Sequence, residues 1–479
     1  MTEKIKKNKK TLTGIGLGFM AFTGVWSFGN ICNGFGYFNG TQAIVPWFCV
    51  FILYFLPYSL IVGELGSVFK DTDGGVSAWV FKTIGPKVAY FAGWIYWVVH
   101  MPYLSQKSNN VVVSLNWIVQ QNGSISDMSV YVVQGACLVI FLFGLFLSFF
   151  GVSILKTIAK FAGMAVFVMM ILYIVLIFCA PAINGSGTSQ LRNFDFFRDG
   201  IAPTDWTCLL NMSILVFAVG GCEKISPYVK SMKNPGKGFP RGMIVLVCMV
   251  LMTTFLGTIA MNVMYDGQNL SSDFLTNGQY DAFVKLGNYL GIGNSLMFLY
   301  AASNAMATFA TIIISIDAPL RMLLGNSDTK FIPKWLFKKN KHNTYTHGII
   351  VVGIIVSVII LFPCIGIDGV DQMVKWFIKL NSVCMPIRYI FVFLAYIALK
   401  KNIEKFNNED YVFIKNKKFG MFVGGWCLGI TVVTCILGMY SEDIFEFVLN
   451  VCMPIILCGI GLIMPRIAKR QNAKLQNLD

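Results

Sequence analysis

Residues 217–242 of this chain read FAVGGCEKISPYVKSMKNPGKGFPRG, and they contain the feature that decides the fold. An apolar run ends at two adjacent glycines, Gly220 and Gly221, and an acid, Glu223, and a proline, Pro227, follow directly. Glycines and a carboxylate inside a membrane segment are costly unless the irregular backbone lines a cavity. Membrane transporters build their substrate sites from interrupted helices of this kind. The stretch therefore predicts a cavity inside a membrane-spanning bundle.

The composition of the whole chain is typical of membrane proteins. Hydrophobic residues make up 56% of the 479 residues and charged residues only 13%. Because a helix needs about 20 apolar residues to cross the bilayer, the apolar runs predict an all-α polytopic membrane protein with twelve transmembrane helices. The predicted spans, numbered 1 to 12, are residues 12–33, 44–66, 87–119, 131–150, 154–180, 204–228, 241–265, 291–324, 348–364, 371–399, 419–439 and 443–465.

The net charge of +15 is distributed as in a membrane protein. Most of the 38 basic residues fall in the N-terminal segment and in alternate loops, whereas the opposite loops hold only Arg192, Arg198 and Lys285. This pattern predicts that the chain lies in the cell membrane with both termini in the cytoplasm. We expect the basic segments to meet anionic lipid head groups, and we expect no nucleic acid partner.

Enzyme and metal chemistry find no support in the sequence. The 13 cysteines are scattered and form no C-x-x-C pair, and His100, His342 and His347 lie far apart. We therefore predict no catalytic residues, no cofactor and no metal site.

A second irregular stretch lies in span 1, where residues 24–36 read GVWSFGNICNGFG. Spans 1 and 6 hold the same place in two successive sets of five spans, which is the sequence indication of an inverted repeat. The predicted organisation is a basic cytoplasmic tail at 1–11, a first repeat at 12–180, a second repeat at 204–399, two further helices within 419–465 and a cytoplasmic tail at 466–479.

Two motifs carry a resemblance to a known family. Residues 64–79 read ELGSVFKDTDGGVSAW and are followed by Gly85-Pro86. The second motif consists of Phe217, Gly221, Glu223, Lys233-Asn234-Pro235 and Pro240. Together they resemble the signatures of the amino acid–polyamine–organocation (APC) superfamily, and the chain looks closest to its glutamate/γ-aminobutyrate antiporter branch.

The resemblance implies a LeuT-type 5+5 inverted repeat with discontinuous helices 1 and 6, two extra helices, alternating access and an amino-acid substrate. It puts the carboxylate-binding break on residues 26–29 and an aromatic gate at Phe217. It also puts Lys160 of span 5 where several members carry a lysine in a sodium-like position.

The two breaks are the predicted substrate site. Unwound backbone frees N–H groups for a carboxylate and C=O groups for an ammonium, so the pair can bind the common part of an amino acid. The alternative is that the glycines only permit close helix packing. The candidate residues are Trp26, Ser27, Phe28, Gly29, Asn30, Phe217, Ala218, Val219, Gly220 and Gly221.

For three charged residues in the spans, the sequence leaves alternative roles open. Lys107, in a polar patch of span 3, either meets a second substrate carboxylate or reaches outer head groups. Glu223 either gates the pathway or carries a proton, or it only caps freed backbone N–H groups or pairs with a lysine such as Lys224 or Lys230. Lys160 is a built-in cation or a cytoplasmic anchor.

Four further charged residues lie in or beside the spans. Asp317 and Arg321 are four residues apart on one helix face and form either a structural pair or part of a coupling site. Glu64, at the cytoplasmic end of span 2, is interpreted as a structural anchor. Arg388 lies deep in span 10 and adds to a slight excess of buried cations, which favours an anionic substrate or the exchange of charged species.

The sequence thus predicts a secondary amino-acid transporter, a permease or an exchanger, with an amino acid or related amine as partner and proton coupling open. A glutamate/γ-aminobutyrate-type antiporter and a non-transporting amino-acid sensor remain as alternatives. A major facilitator carrier is rejected, because the loop between spans 2 and 3 lacks the basic motif of that class.

Overall fold

The computed structural model describes residues 12–72, 75–184, 205–325, 330–367, 369–406 and 410–476, and within these ranges it is helical, with two isolated β-bridges and no strand. The helices are α1 Gly14–Val25, α2 Phe28–Tyr37, α3 Ile44–Val50, α4 Leu56–Val68, α5 Val76–Thr83, α6 Pro86–Val98, α7 His100–Gln120, α8 Val130–Ser148, α9 Val152–Asn184, α10 Trp206–Val219, α11 Pro235–Met264, α12 Phe274–Tyr289, α13 Ser295–Leu324, α14 Thr346–Leu361, α15 Val370–Cys384, α16 Tyr389–Lys401, α17 Lys417–Met439 and α18 Ile444–Gln476. Several of them are joined by short segments of other helix types. These include a π-helical turn at Phe51–Phe55 and 3₁₀ segments at Cys222–Ser231 and Met385–Arg388.

The chain is a multi-pass membrane protein. Among the described residues, 10 helices are long and apolar enough to cross a membrane, and the bent pair α1–α2 raises the number to 11. The predicted span 3 is the one whose helices are not both long and apolar enough by this measure. It corresponds to α6 and α7, and α7 carries the polar patch at 103–110. The predicted basic tail at 1–11 lies outside the described residues.

The first helix is held at the centre of the bundle by small residues on its neighbours. A Cβ atom on Gly163 of α9 would lie 1.9 Å from Thr23 Oγ1, and one on Gly242 of α11 would lie 2.7 Å from a methyl carbon of Leu17. Because only glycine permits these approaches, α1 packs directly between α9 and α11. The break at the end of α1 is therefore surrounded by protein on these sides.

Helix α12 lies in the connection between α11 and α13, against the broken pair. At its start, Thr276 donates a hydrogen bond to Asp371 at the start of α15, at 2.5 Å. Ser126, in the connection after α7, donates to the same carboxylate at 3.0 Å. Gln279 lies against Gly29 of α2 and accepts a hydrogen bond from Tyr300 of α13 at 2.8 Å. The helix thus covers the second half of span 1.

Candidate substrate site

Span 1 is interrupted at Trp26 and Ser27. Both residues have extended backbone angles, α1 ends before them, and α2 begins after them at an angle of 43° to α1. Ser27 precedes α2 without a side-chain hydrogen bond to its first turn. The first N–H groups of α2 are therefore available at this break, as in helix N-termini that bind anions.

Span 6 is interrupted at the two glycines. Gly220 is extended, and Gly221 has a φ of 109°, a conformation that favours glycine. A Cβ atom on Gly220 would lie 2.0 Å from the hydroxyl oxygen of Tyr389, so only glycine fits there. The chain then continues as the 3₁₀ segment Cys222–Ser231. The break ends α10 with its carbonyl groups directed at the interruption.

One side chain joins the two breaks. Asn30 Nδ2 donates to the carbonyl oxygen of Val25 at 3.1 Å and lies 3.4 Å from that of Ala218. The amide thereby links the end of α1, the start of α2 and the end of α10. The two interrupted helices form one local structure.

A cavity opens at this junction, and its lining is polar and cationic. Seven amide side chains and two cations border it, and no Asp or Glu does so within the described ranges of the chain. The residues that line it are Gly24, Val25, Ser27, Gly29, Asn30, Asn33, Tyr103, Gln106, Lys107, Asn109, Asn110, Val113, Phe217, Ala218, Gly220, Leu275, Thr276, Gln279, Asn304, Thr308, Val374, Ile378, Met385 and Arg388. Such a lining suits a polar molecule with an excess of negative charge.

The predicted site residues divide into two groups. Those that line the cavity are Ser27, Gly29, Asn30, Lys107, Phe217, Ala218 and Gly220. Of the others, Trp26 borders a second, smaller cavity, and Phe28 is buried among the aromatic rings of Tyr173, Phe283 and Tyr300. Val219 is buried, and Gly221 lies against the guanidinium of Arg388.

Lys107 borders both cavities. The second one lies beside the break of span 1 and is also lined by Thr23, Asn304 and Thr308. The Lys107 ammonium lies 5.2 Å from the centre of the Tyr103 ring. No carboxylate is paired with it among the described residues. Lys107 is therefore a cation that faces the cavity with its charge uncompensated by a side chain.

Glu223 and Arg388 form a buried ion pair, in which Arg388 also borders the cavity. Arg388 Nε lies 3.1 Å from Glu223 Oε1, and both side chains are almost fully buried. Tyr58 and Tyr96 donate their hydroxyl hydrogens to the same carboxylate. Arg388 Nη1 lies 2.6 Å from His100 Nε2. Because an isolated buried charge is very costly, the pair and its bonds explain how both residues are accommodated.

The comparisons with known proteins agree with this geometry. The model of the amino acid permease family matches residues 12–456. This chain belongs to the amino acid permease family, within the APC superfamily.

Its relatives include transporters of several substrates. An aspartate/glutamate permease of Lactococcus lactis subsp. cremoris is 43% identical over 96% of this chain and 96% of its own length. A probable agmatine/putrescine antiporter of Lactococcus lactis subsp. lactis is 25% identical over 76% of this chain and 74% of its own. A glutamate/gamma-aminobutyrate antiporter of the same subspecies is 21% identical over 74% and 70%. These relatives are transporters, and none is named as an enzyme.

Three other predicted residues of this permease lie away from the cavity. Lys160 packs its hydrocarbon chain close to Gly16, near the start of α1. Asp317 accepts hydrogen bonds from Arg321 at 2.7 Å and from Tyr228 at 3.0 Å, so it ties the 3₁₀ segment to α13. Glu64 is buried and pairs with Lys400 at 2.5 Å, in agreement with its interpretation as an anchor.

Most of the cavity lining of this permease was missed by the sequence reasoning. The polar patch around Lys107 was noticed, yet Gln106, Asn109 and Asn110 beside it were not named as site residues. Asn304 and Thr308 are polar residues one turn apart in span 8, a signal that could have been used. Thr276 and Gln279 reach the cavity from α12, and nothing in a loop sequence indicates such a position.

Proposed function

We propose that this permease is a secondary active transporter of acidic amino acids that works by alternating access in a LeuT-type 5+5 bundle. The observation that carries the proposal is the cavity at two helix breaks, lined by amides and cations and, among the described residues, by no acid. The relative at 43% identity, named an aspartate/glutamate permease, supports the same substrate class.

The common part of the substrate binds at the breaks. Its α-carboxylate accepts hydrogen bonds from the N–H groups at the start of α2, near Ser27 and Gly29, where the helix dipole also favours negative charge. Its ammonium lies at the carbonyl ends of α1 and α10, near Gly24 and Ala218. Phe217 then closes over the bound molecule as an aromatic gate.

Lys107 binds the side-chain carboxylate. Arg388 also borders the cavity, but Glu223 already compensates its charge. Lys107 has no such partner among the described residues, and it borders the cavity from α7. A charge-assisted hydrogen bond to Lys107 would therefore select aspartate and glutamate over neutral amino acids.

Glu223 and Asp317 act in gating. Each ties the 3₁₀ segment Cys222–Ser231 to a neighbouring helix, Glu223 through Arg388 and Asp317 through Tyr228. Opening of the cytoplasmic side would require these bonds to break or to move together. The coupling role of Lys160 remains a prediction.

Transport by the Lys107→Met variant in proteoliposomes tests the proposal. Loss of a hydrogen bond to a charged group costs about 1.5–3 kcal/mol, so we expect the affinity for labelled L-glutamate to fall about tenfold to a hundredfold. The affinity for L-glutamine should change little. Lys285→Met is the matched control, because Lys285 is exposed and pairs with Asp281 outside the cavity. Equal losses for both amino acids would contradict the assignment of Lys107.

The same vesicles separate the alternatives. An obligate antiporter, such as the glutamate/gamma-aminobutyrate relative, takes up label only when the lumen contains an exchangeable substrate. A permease also fills empty vesicles, and a sensor binds the amino acid without uptake. Binding without any transport would overturn the transporter proposal.

A further inference from the structure

A second lysine lies beside the cavity without a role in the proposed substrate site. Lys224, in the 3₁₀ segment that follows the two glycines, is 1% exposed. Among the residues that the structure describes, its Nζ atom has no hydrogen-bond partner. The nearest described interaction is with an aromatic ring: the nitrogen lies 4.5 Å from the centre of the Tyr103 ring. Lys400, the other lysine that is almost fully buried among the described residues, is by contrast paired with Glu64.

The charged groups around Lys224 are mostly positive, and the negative one is already paired with other residues. Arg388 and Lys107 are its positive neighbours, and Glu223 is the negative one, but the Glu223 carboxylate is bound by Arg388 and two tyrosines. The remaining titratable groups shown to lie nearby are His100 and Tyr103 of α7. Gly24, on the α1 side, brings no charge. An ammonium at this place is costly, because it is desolvated, unbonded and beside like charges.

The ring of Tyr103 connects this lysine to the cavity. Tyr103 lines the cavity, and both the Lys224 and the Lys107 nitrogens lie over its ring, at 4.5 Å and 5.2 Å from the centre. An anion bound at Lys107 would compensate the positive charge next to Lys224. Protonation of Lys224 would then become less costly, so anion and proton would favour each other's binding.

We propose that Lys224 is the proton-coupling residue of this protein: it takes up a proton when an acidic amino acid occupies the cavity and releases it when the substrate leaves. The inference rests on the proposed function, since the coupling needs an anionic substrate. The proton moves between water and the Lys224 amine, so no other reactant is required. Substrate and proton travel in the same direction, and an amino acid with one net negative charge is carried with its charge balanced.

The pH dependence of substrate affinity tests the inference. The affinity of purified protein for L-glutamate is measured over a pH series by thermal shift or calorimetry. In the unmodified protein we expect affinity to fall as pH rises, by up to about tenfold per pH unit for one linked proton. In Lys224→Met the affinity should lose this dependence, while binding itself and exchange in vesicles are retained. Lys233→Met, an exposed lysine on the loop that follows the same segment, should behave as the unmodified protein.

Other outcomes are decisive in different ways. Binding of L-glutamate with the same pH dependence in Lys224→Met and in the unmodified protein would overturn the inference and leave the proposed function standing. No binding or transport of acidic amino acids by the unmodified protein would overturn the proposed function itself. If Lys224→Met does not fold, Lys224→Gln is used, because its neutral amide also removes the titration. A glutamine variant that folds and keeps the pH dependence would equally overturn the inference.

Discussion

At the scale of single residues, the Glu223–Arg388 pair stands out because it places two charges in the interior of the bundle. Both side chains are buried, and their charges are satisfied by each other, by tyrosine hydroxyls and by His100. Removing one partner of a buried pair typically costs about 3–5 kcal/mol, because the other charge is left uncompensated, whereas replacing both by apolar groups is often far less costly.

We therefore predict that Glu223→Leu and Arg388→Met each lower the melting temperature of the detergent-solubilised protein strongly, and that the double variant loses less than the sum. A thermal melt of the three variants measures the coupling. Losses that simply add would contradict an energetically coupled pair.

The same residues show what a sequence can and cannot reveal at this scale. The breaks at Ser27 and at Gly220 were predictable, because serine and adjacent glycines interrupt apolar runs and only glycine adopts the backbone seen at Gly221. The partner of Glu223 was not, since the lysines considered, Lys224 and Lys230, are its sequence neighbours. Arg388 reaches Glu223 from another span, and such a contact depends on how the helices pack.

At the scale of elements, the two interrupted helices are held together by the amide of Asn30. It serves the carbonyl oxygens of Val25 and Ala218, which have left regular helical bonding at the breaks. A buried carbonyl without a partner costs about 1–3 kcal/mol. The relative placement of α1, α2 and α10 therefore depends on this side chain.

We predict that Asn30→Ala reduces the transport rate in proteoliposomes and lowers the melting temperature, since both carbonyl groups lose their donor. Asn33→Ala is the comparison, because Asn33 lies one turn further along α2 and borders the same cavity without bridging the breaks. A similar loss of stability in both variants would show that the link has no special importance.

Helix α12 is the element that sequence reasoning did not anticipate. Residues 266–290 lie between the predicted spans 7 and 8, so no transmembrane helix is expected there. The structure has a helix there, Phe274–Tyr289, and Thr276 and Gln279 on it border the cavity. Its position comes from bonds to several other elements, among them those of Thr276 to Asp371 and of Asn277 with Trp117.

We predict that Asp371→Ala loosens this helix, because Ser126 and Thr276 both lose their acceptor. Hydrogen–deuterium exchange over residues 274–279 should become faster. Asp266→Ala is the control, since the described bonds of Asp266 stay within its own loop, to Gln268 and Asn269. Unchanged exchange in the Asp371 variant would mean that other contacts hold the helix.

At the scale of the whole molecule, the multi-pass helical fold was predictable from the apolar runs alone. The number of membrane-spanning helices was harder to predict. Span 3 is polar around Lys107 because it borders the cavity, so the function of that helix weakens the signal by which spans are recognised. The inverted repeat and the orientation in the membrane stay predictions. The orientation can be tested directly, and the distribution of basic residues fixes the expected answer.

We predict that the connection after α7 is extracellular and the connection after α13 is cytoplasmic. Asn122 and Lys341 are exposed residues of these two connections, so each can be replaced by cysteine in a variant without the 13 native cysteines. A membrane-impermeant maleimide should label Asn122→Cys on intact cells and Lys341→Cys only after permeabilisation. The reverse pattern would invert the topology and would place α12, with its Thr276 and Gln279 side chains at the cavity, on the cytoplasmic side. Substrate would then meet the tyrosine-bonded Glu223 side of the bundle first from outside, whereas the proposed transport of substrate and proton in the same direction would be unaffected.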